Sequence, residues 1–372
     1  MFVKFKWLLV SIFDYFKFLI FIFSIPKNSK FLIVISHNED SNGGASVVLN
    51  ELLDHMDLDN YVVIVLCKTG GDLIKQNNYN YFVYQYIFKF YIAILKLFSV
   101  KAILVNTIIC SGAVKIVQKY YKCPIVWWLH EDIDLFEKQK NKLPNKINDN
   151  VKVLCVSDTT QKIFRKFYPN HKSSILHYGI KDSYSGRKET KSNQFQIGII
   201  GMLCERKNQL QIIQLLKRLP FDVANKVKFT VIAGTWDKDY KEKFLLESKN
   251  FNQVEFIAGI SHDKLMGMYN EFDLLLCCSK YDPLPVVVTE ALMMKCLCLV
   301  SSGCGQYKYI ENGKNGYKYE VNDLDVLLNK IIYIINNVNN KNYILNNARK
   351  LYINEFSMDQ TIKKISTYLC LK

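Results

Sequence analysis

From residue 31 onward, short apolar runs alternate with amphipathic stretches, and the alternation stops once and starts again. In the first half the runs are FLIVIS (31–36), YVVIVLC (61–67), KAILVN (101–106), PIVWWL (124–129) and VKVLCV (151–156). Helical patterns fall between them, near 45–56, 84–98, 111–121 and 158–167. Runs apolar at every position suit strands buried on both faces, which parallel sheets covered by helices provide. The polar stretch KDSYSGRKETKSNQ (181–194) lacks large aliphatic residues and reads as an inter-domain linker. Beyond it the rhythm resumes with QIGIIG (196–201), VKFTVIA (227–233), VEFIAG (254–259), DLLLCCS (273–279) and CLCLVS (296–301). The expected class is α/β, with two consecutive Rossmann-like, doubly wound domains. We expect an apolar N-terminal helix over 1–28, a first domain over 29–185 and a second over 186–354. A C-terminal helix over 355–372 is expected to pack back on the first domain.

Length and composition agree with two cores: 372 residues, 49% of them hydrophobic. The formal net charge of +15 favours anionic surfaces, either lipid headgroups or nucleic acid. The lysines are spread along the chain and no aromatic-basic recognition module appears, so no nucleic-acid partner is expected. Eleven cysteines include no C-x-x-C pair, and most lie inside apolar runs, as buried thiols of a reducing, cytoplasmic compartment do. Residues 7–25, WLLVSIFDYFKFLIFIFSI, are long enough to span a bilayer, but Asp14 and Lys17 interrupt them. No small-residue cleavage site follows, so no removable signal peptide is expected. An interfacial helix with Lys4, Lys6, Lys17 and Lys27 at the headgroups fits better than a span. That reading makes the inner membrane surface a partner and the protein peripheral on its cytoplasmic face. A leading helix packed on the first domain is the alternative. In YQYIFKFYIAILKLF (84–98), Lys89 and Lys96 stand among apolar residues, in a core helix or a second membrane-facing stripe.

Ligands of open parallel sheets bind beyond the carboxyl ends of the strands, which directs attention to the segment after each run. FLIVIS is followed by Gly43 and Gly44 at the start of a helical pattern, where bare backbone admits a phosphate or sugar, or simply turns the chain. QIGIIG is followed by Arg206 and Lys207, a forked donor and a point charge suited to a diphosphate, or a solvated pair. DLLLCCS is followed by KYDPLPVVVTEALMMK, with Asp282 in a loop stiffened by Pro283 and Pro285, amides near Val286, and Glu290 expected in the first turn of a helix. A carboxylate there can accept both hydroxyls of a ribose, and Asp282 can reach hydroxyls of a bound sugar. PIVWWLH ends on His130, and Asp132-Ile-Asp134 spells a D-x-D.

Residues 273–317, together with GMLCERKNQ (201–209), resemble the signature regions of glycosyltransferase family 4. The Gly-Gly loop and the WWLHED segment resemble it more weakly, and the resemblance covers most of 31–340. It implies the GT-B fold, two Rossmann-like domains facing a central cleft, and retaining transfer from a nucleotide sugar. It also implies roles: Glu290 on the ribose, Asp282 at the first acidic position, Lys207 on the phosphates, Gly44 beside the diphosphate and His130 near the transferred sugar. Where the family commonly has Arg after the strand glycine, this chain has Met202, so Arg206 is expected to supply the charge. No cofactor or metal is expected, since cations and helix-start amides can neutralise a leaving diphosphate and D-x-D belongs to a different fold, GT-A. The implied donor is a UDP- or GDP-sugar, and the implied acceptor a glycan or lipid-linked saccharide in bacterial surface polysaccharide synthesis. Met202 motivates the alternative, a non-catalytic sugar-nucleotide-binding or scaffolding subunit.

Overall fold

The computed structural model describes residues 2–38, 44–71, 79–186, 192–337 and 341–371, with no side-chain placement for residues 2–5. The chain forms two compact units, Met1–Gly179 together with Met358–Lys372, and Ile180–Ser357.

The first unit is built on a seven-stranded, all-parallel sheet. Its strands are β1 (Lys30–Ser36), β2 (Val62–Cys67), β3 (Asn80–Val83), β4 (Ser99–Asn106), β5 (Ile125–Leu129), β6 (Val151–Cys155) and β7 (Ser173–Ile175), in the order β3-β2-β1-β4-β5-β6-β7. The central strands are buried along almost their whole length, as unbroken Ile/Val/Leu runs require. Strand order reverses between β1 and β4, so the loops leaving these two strands diverge and open a crevice at their carboxyl ends. The C-terminal helix Met358–Leu369 packs on helix Gly44–His55, β4 and β5, and Thr361 Oγ1 donates to the His177 carbonyl at 3.0 Å.

The N-terminal helix Phe2–Ser24 lies against the β3 edge. Asp14 is turned inward, and its carboxylate accepts the backbone N–H of Val83 at 3.0 Å. That bond satisfies an edge-strand donor that would otherwise face an open side of the sheet. Phe18 and Ile22 are fully buried, Phe18 against the rings of Phe82 and Tyr91. Residues 84–98 do not form one helix: helix Phe88–Leu95 is preceded by turns, because β3 and its exit occupy the chain as far as Tyr84.

The second unit repeats the plan with six parallel strands. These are β8 (Phe195–Ile200), β9 (Val227–Ala233), β10 (Val254–Ala258), β11 (Leu274–Cys277), β12 (Leu297–Ser301) and β13 (Tyr317–Tyr319), ordered β10-β9-β8-β11-β12-β13. The reversal falls between β8 and β11. Residues 181–186, which composition reads as linker, run along this unit: Ile180 N–H bonds the Phe356 carbonyl, Arg349 pairs with Asp182, and Tyr352 bonds the Ile180 carbonyl. The chain therefore changes unit at 179/180, and again at 357/358.

Candidate functional site

In the second unit three loops meet beyond the carboxyl ends of β8, β11 and β12. Gly201, with φ +140°, turns the chain out of β8, and a Cβ there would touch the Lys207 side chain at 3.4 Å. The Lys280 amide donates to the Arg206 carbonyl at 2.8 Å, joining the first loop to the second. Asp282 N–H bonds the Gly303 carbonyl at 2.8 Å and Gly305 N–H bonds the Asp282 carbonyl at 3.0 Å, joining the second to the third. Gly303 is required by this approach: a Cβ would lie 2.3 Å from the Ser279 carbonyl oxygen and 2.4 Å from that of Lys280.

These backbone ties bring charge together. Lys207 Nζ donates to Asp282 Oδ2 at 2.5 Å, and Arg206 Nη1 lies 3.4 Å from the same oxygen while donating to the Tyr281 carbonyl at 3.0 Å. Burial alone would lower the Lys207 pKa, but the Asp282 carboxylate outweighs it and the net shift is upward, so the ammonium stays charged. Arg206 keeps 40% of its side chain exposed against 13% for Lys207, so the guanidinium has the freer access to a ligand. Met202 is half-exposed, and its carbonyl accepts from Gln209 Nε2 at 2.8 Å. Beneath Lys207, Cys277 Sγ sits 3.4 Å from Cys304 Sγ. The Cys304 hydrogen bond, against the effect of burial and with the help of Lys207, lowers the Cys277 pKa below the ordinary thiol value.

Three residues after Asp282, Pro285 begins helix Val286–Met293, which no side chain caps. An uncapped helix start presents N–H groups suited to an anion. Gln306 fixes it from the third loop, donating to the Pro285 carbonyl at 2.9 Å and to Thr289 Oγ1 at 3.1 Å. Glu290 does not lie in the first turn of this helix, as the sequence suggested, but in the second, because the helix begins at Val286, directly after Pro285. Its buried carboxylate accepts from His262 Nε2 at 2.8 Å and from the Tyr269 hydroxyl at 2.7 Å. His262 opens helix His262–Met268 and keeps a mostly exposed ring, so the buried Glu290 carboxylate is held between Tyr269 in the interior and a solvent-facing histidine.

In the first unit the corresponding crevice is lined from β1, β4 and β5. Gly44 is the first residue of helix Gly44–His55, exposed and with open space where a Cβ would go; Gly43 lies outside the described residues. His130 follows β5, and its Nε2 lies 2.8 Å from Asn106 Oδ1. The Asn106 amide nitrogen donates to the Ala45 carbonyl at 3.0 Å, which fixes the amide orientation. His130 must therefore donate through Nε2, leaving Nδ1 as the acceptor. Burial, with His37 nearby, lowers the His130 pKa to about 3, so the ring is neutral. Burial also raises Glu131 to about 7, against hydrogen bonds from the His130 and Ile108 amides. Asp132 caps helix Ile133–Gln139, accepting from Leu135 N–H at 3.0 Å, so half of the D-x-D is used structurally. Among the described residues no group of three His, Cys, Asp or Glu side chains could hold a metal ion.

The structure thus gathers Arg206, Lys207 and Asp282 around one carboxylate oxygen, with Pro285 and Val286 following in the same loop and helix start. Gly44 and His130 are joined in the first unit through Asn106 and Ala45. Reading the sequence missed Asn106, His262 and Tyr269. Asn106 had a usable signal, a polar residue ending an apolar strand at the switch point. His262 and Tyr269 reach Glu290 only through the fold.

Residues 181–351 match a family model described as glycosyl transferases group 1, a match that spans nearly all of the second unit. An uncharacterized glycosyltransferase of Methanocaldococcus jannaschii is 25% identical over 175 residues, 47% of this chain and 44% of that protein. The Escherichia coli UDP-Gal:alpha-D-GlcNAc-diphosphoundecaprenol alpha-1,3-galactosyltransferase is 23% identical over 177 residues, 47% of this chain and 45% of that one. The match thus spans less than half the length of these curated relatives. Anabaena Alr3699/HepE, solved in complex with UDP and glucose, superposes with a TM-score of 0.73 at 18% identity, covering 91% of this chain and 99% of that one. The fold is GT-B.

Proposed function

We propose that this protein transfers a sugar from a nucleoside-diphosphate sugar to a glycan or lipid-linked acceptor in bacterial surface polysaccharide synthesis. The observation that carries the proposal is the cluster of Arg206, Lys207 and Asp282 three residues before an uncapped helix start, with Glu290 buried in that helix. Arg206 and Lys207 bind the diphosphate of the donor, with the first amides of helix Val286–Met293, and stabilise the negative charge that grows as the glycosidic bond breaks. Glu290, held in place by Tyr269, accepts the ribose hydroxyls where the exposed His262 now bonds it. Asp282 holds the Lys207 ammonium and takes hydroxyls of the transferred sugar. His130, neutral and with Nδ1 as acceptor, is the first unit's candidate for accepting a sugar hydroxyl, as the resemblance to glycosyltransferase family 4 implies. That resemblance also carries retention of the anomeric configuration.

The donor is a UDP- or GDP-sugar, and the charge supplied by Lys207, Arg206 and the helix start supports transfer without a divalent metal. The acceptor chemistry, the basic balance of the chain and the exposed apolar N-terminal helix support a peripheral site on the cytoplasmic face of the membrane. The test is release of nucleoside diphosphate from a panel of nucleotide sugars with lipid-linked saccharide acceptors, with and without chelator. We expect one donor to be consumed whether or not chelator is present, and Arg206→Ala to slow turnover about tenfold or more. Donor binding without turnover on any acceptor would instead favour the scaffolding subunit, and loss of activity in chelator restored by magnesium or manganese would overturn the metal-free mechanism.

A further inference from the structure

The N-terminal helix Phe2–Ser24 is apolar on two opposite faces, and only one of them meets the fold. Ser11, Phe18 and Ile22 are buried against the sheet edge. About half a helical turn away, Leu9, Ile12, Phe13, Phe16, Ile20 and Phe23 form a continuous exposed stripe, with Phe13 62%, Phe16 60% and Ile20 76% exposed. Beside the stripe, Phe23 meets Phe98 at 6.2 Å between ring centroids, Tyr15 meets Phe90 at 6.1 Å, and Phe90 on the neighbouring helix and Leu97 just past its end are exposed. Lys6 and Lys17 run along one side of the stripe, Lys89 stands on the second helix and Lys96 just past its end over the Tyr120 ring, all four exposed. The one carboxylate of residues 2–24 is Asp14, which is turned inward onto Val83 N–H, and residues 84–98 contain none.

We infer that this two-helix face is a docking surface for an anionic lipid bilayer, on which the N-terminal helix lies in the plane of the membrane rather than crossing it. An apolar stripe edged by lysines matches the acyl boundary beneath negatively charged headgroups. A spanning helix would have to break the Asp14–Val83 hydrogen bond, leave Phe18 and Ile22 without their packing and carry Asp14 and Lys17 into hydrocarbon. A second copy of this chain is the poorer occupant, because a two-fold contact through the stripe would set the same lysines against one another. The inference rests on the N-terminal helix and not on the donor site.

The experiment is flotation of the full chain with vesicles of phosphatidylcholine, alone or mixed with phosphatidylglycerol. The wild type should float with the mixed vesicles and be released by salt. Phe13→Ser/Phe16→Ser/Ile20→Ser, at exposed positions, should weaken flotation by about tenfold or more. Lys6→Glu/Lys89→Glu should lose the preference for phosphatidylglycerol, which tests the surface even if the triple variant does not fold. Whichever of UDP or GDP the wild type binds should bind both variants equally, which separates failure here from failure of the transfer proposal. Alkaline carbonate should strip the protein from cell membranes. Unchanged flotation of the triple variant, indifference to phosphatidylglycerol or carbonate-resistant retention would overturn the inference. So would a wild-type dimer that the triple variant splits, with no vesicle binding.

Discussion

Lys207 and Asp282 are both largely buried, and each compensates the other's charge. Removing Lys207 leaves the buried Asp282 carboxylate only the more exposed Arg206, 3.4 Å away, whereas removing both charges of the pair leaves no such carboxylate. Lys207→Met should therefore lower stability by about 3 kcal/mol, and Lys207→Met/Asp282→Asn by clearly less, a coupling that chemical denaturation of the four proteins of the cycle measures. His130 gives a second prediction at this scale. Its folded pKa of about 3 lies below the ordinary histidine value of 6.5, so between these pH values the unfolded chain holds a proton that the folded chain does not. Stability from this group is complete above about pH 6.5 and is lost as pH falls, by up to about 1.4 kcal/mol per pH unit inside the window. Glu131, raised to about 7, has the opposite sign, losing stability as pH rises from its ordinary 4.5. Comparing urea midpoints of wild type and His130→Gln across this range isolates the histidine: the wild type should lose stability relative to the variant as pH falls.

At the scale of elements, the loops that build the candidate site of the second unit are placed by backbone contacts more than by side chains. Gly303 passes so close to the Ser279 and Lys280 carbonyls that a methyl group cannot enter without moving backbone. Gly303→Ala should cost about 1–3 kcal/mol or more and weaken nucleotide binding, since it parts the loops that hold Asp282. Gly112, inside helix Ser111–Tyr120 with open space around it, is the control: Gly112→Ala should be stabilising by about 0.5–1 kcal/mol, and thermal unfolding reads both. The same contrast explains what the sequence made legible. Central strands such as β1, β4 and β12 announce themselves as long apolar runs, because burial on both faces leaves no room for polar residues. Strands β3, β7 and β13 are three or four residues long, lie at sheet edges, and carry polar or aromatic residues that no periodicity distinguishes from loop. Arg206, Lys207 and Asp282 could be read because strand-end loops are where an open sheet binds ligands. The helix position of Glu290 and its partners His262 and Tyr269 could not, because they depend on where Pro285 starts the helix and on how helix His262–Met268 docks.

For the whole molecule, two Rossmann-like units repeat one strand order, and in each the polar clusters described here leave the sheet beside its switch point. The chain adds a terminal helix to each end of the first unit: Met358–Leu369 covers its sheet, and Phe2–Ser24 closes its β3 edge while presenting an apolar face outward. The central claim is that the second unit binds a nucleoside diphosphate through Lys207 and Glu290. Isothermal titration of UDP and of GDP into the full chain, wild type, Lys207→Met and Glu290→Ala, tests it most directly. One of the two nucleotides should bind the wild type in the absence of divalent metal, and each substitution should weaken that binding at least about tenfold. Binding of neither nucleotide, or equal binding by the wild type and both variants, would contradict it.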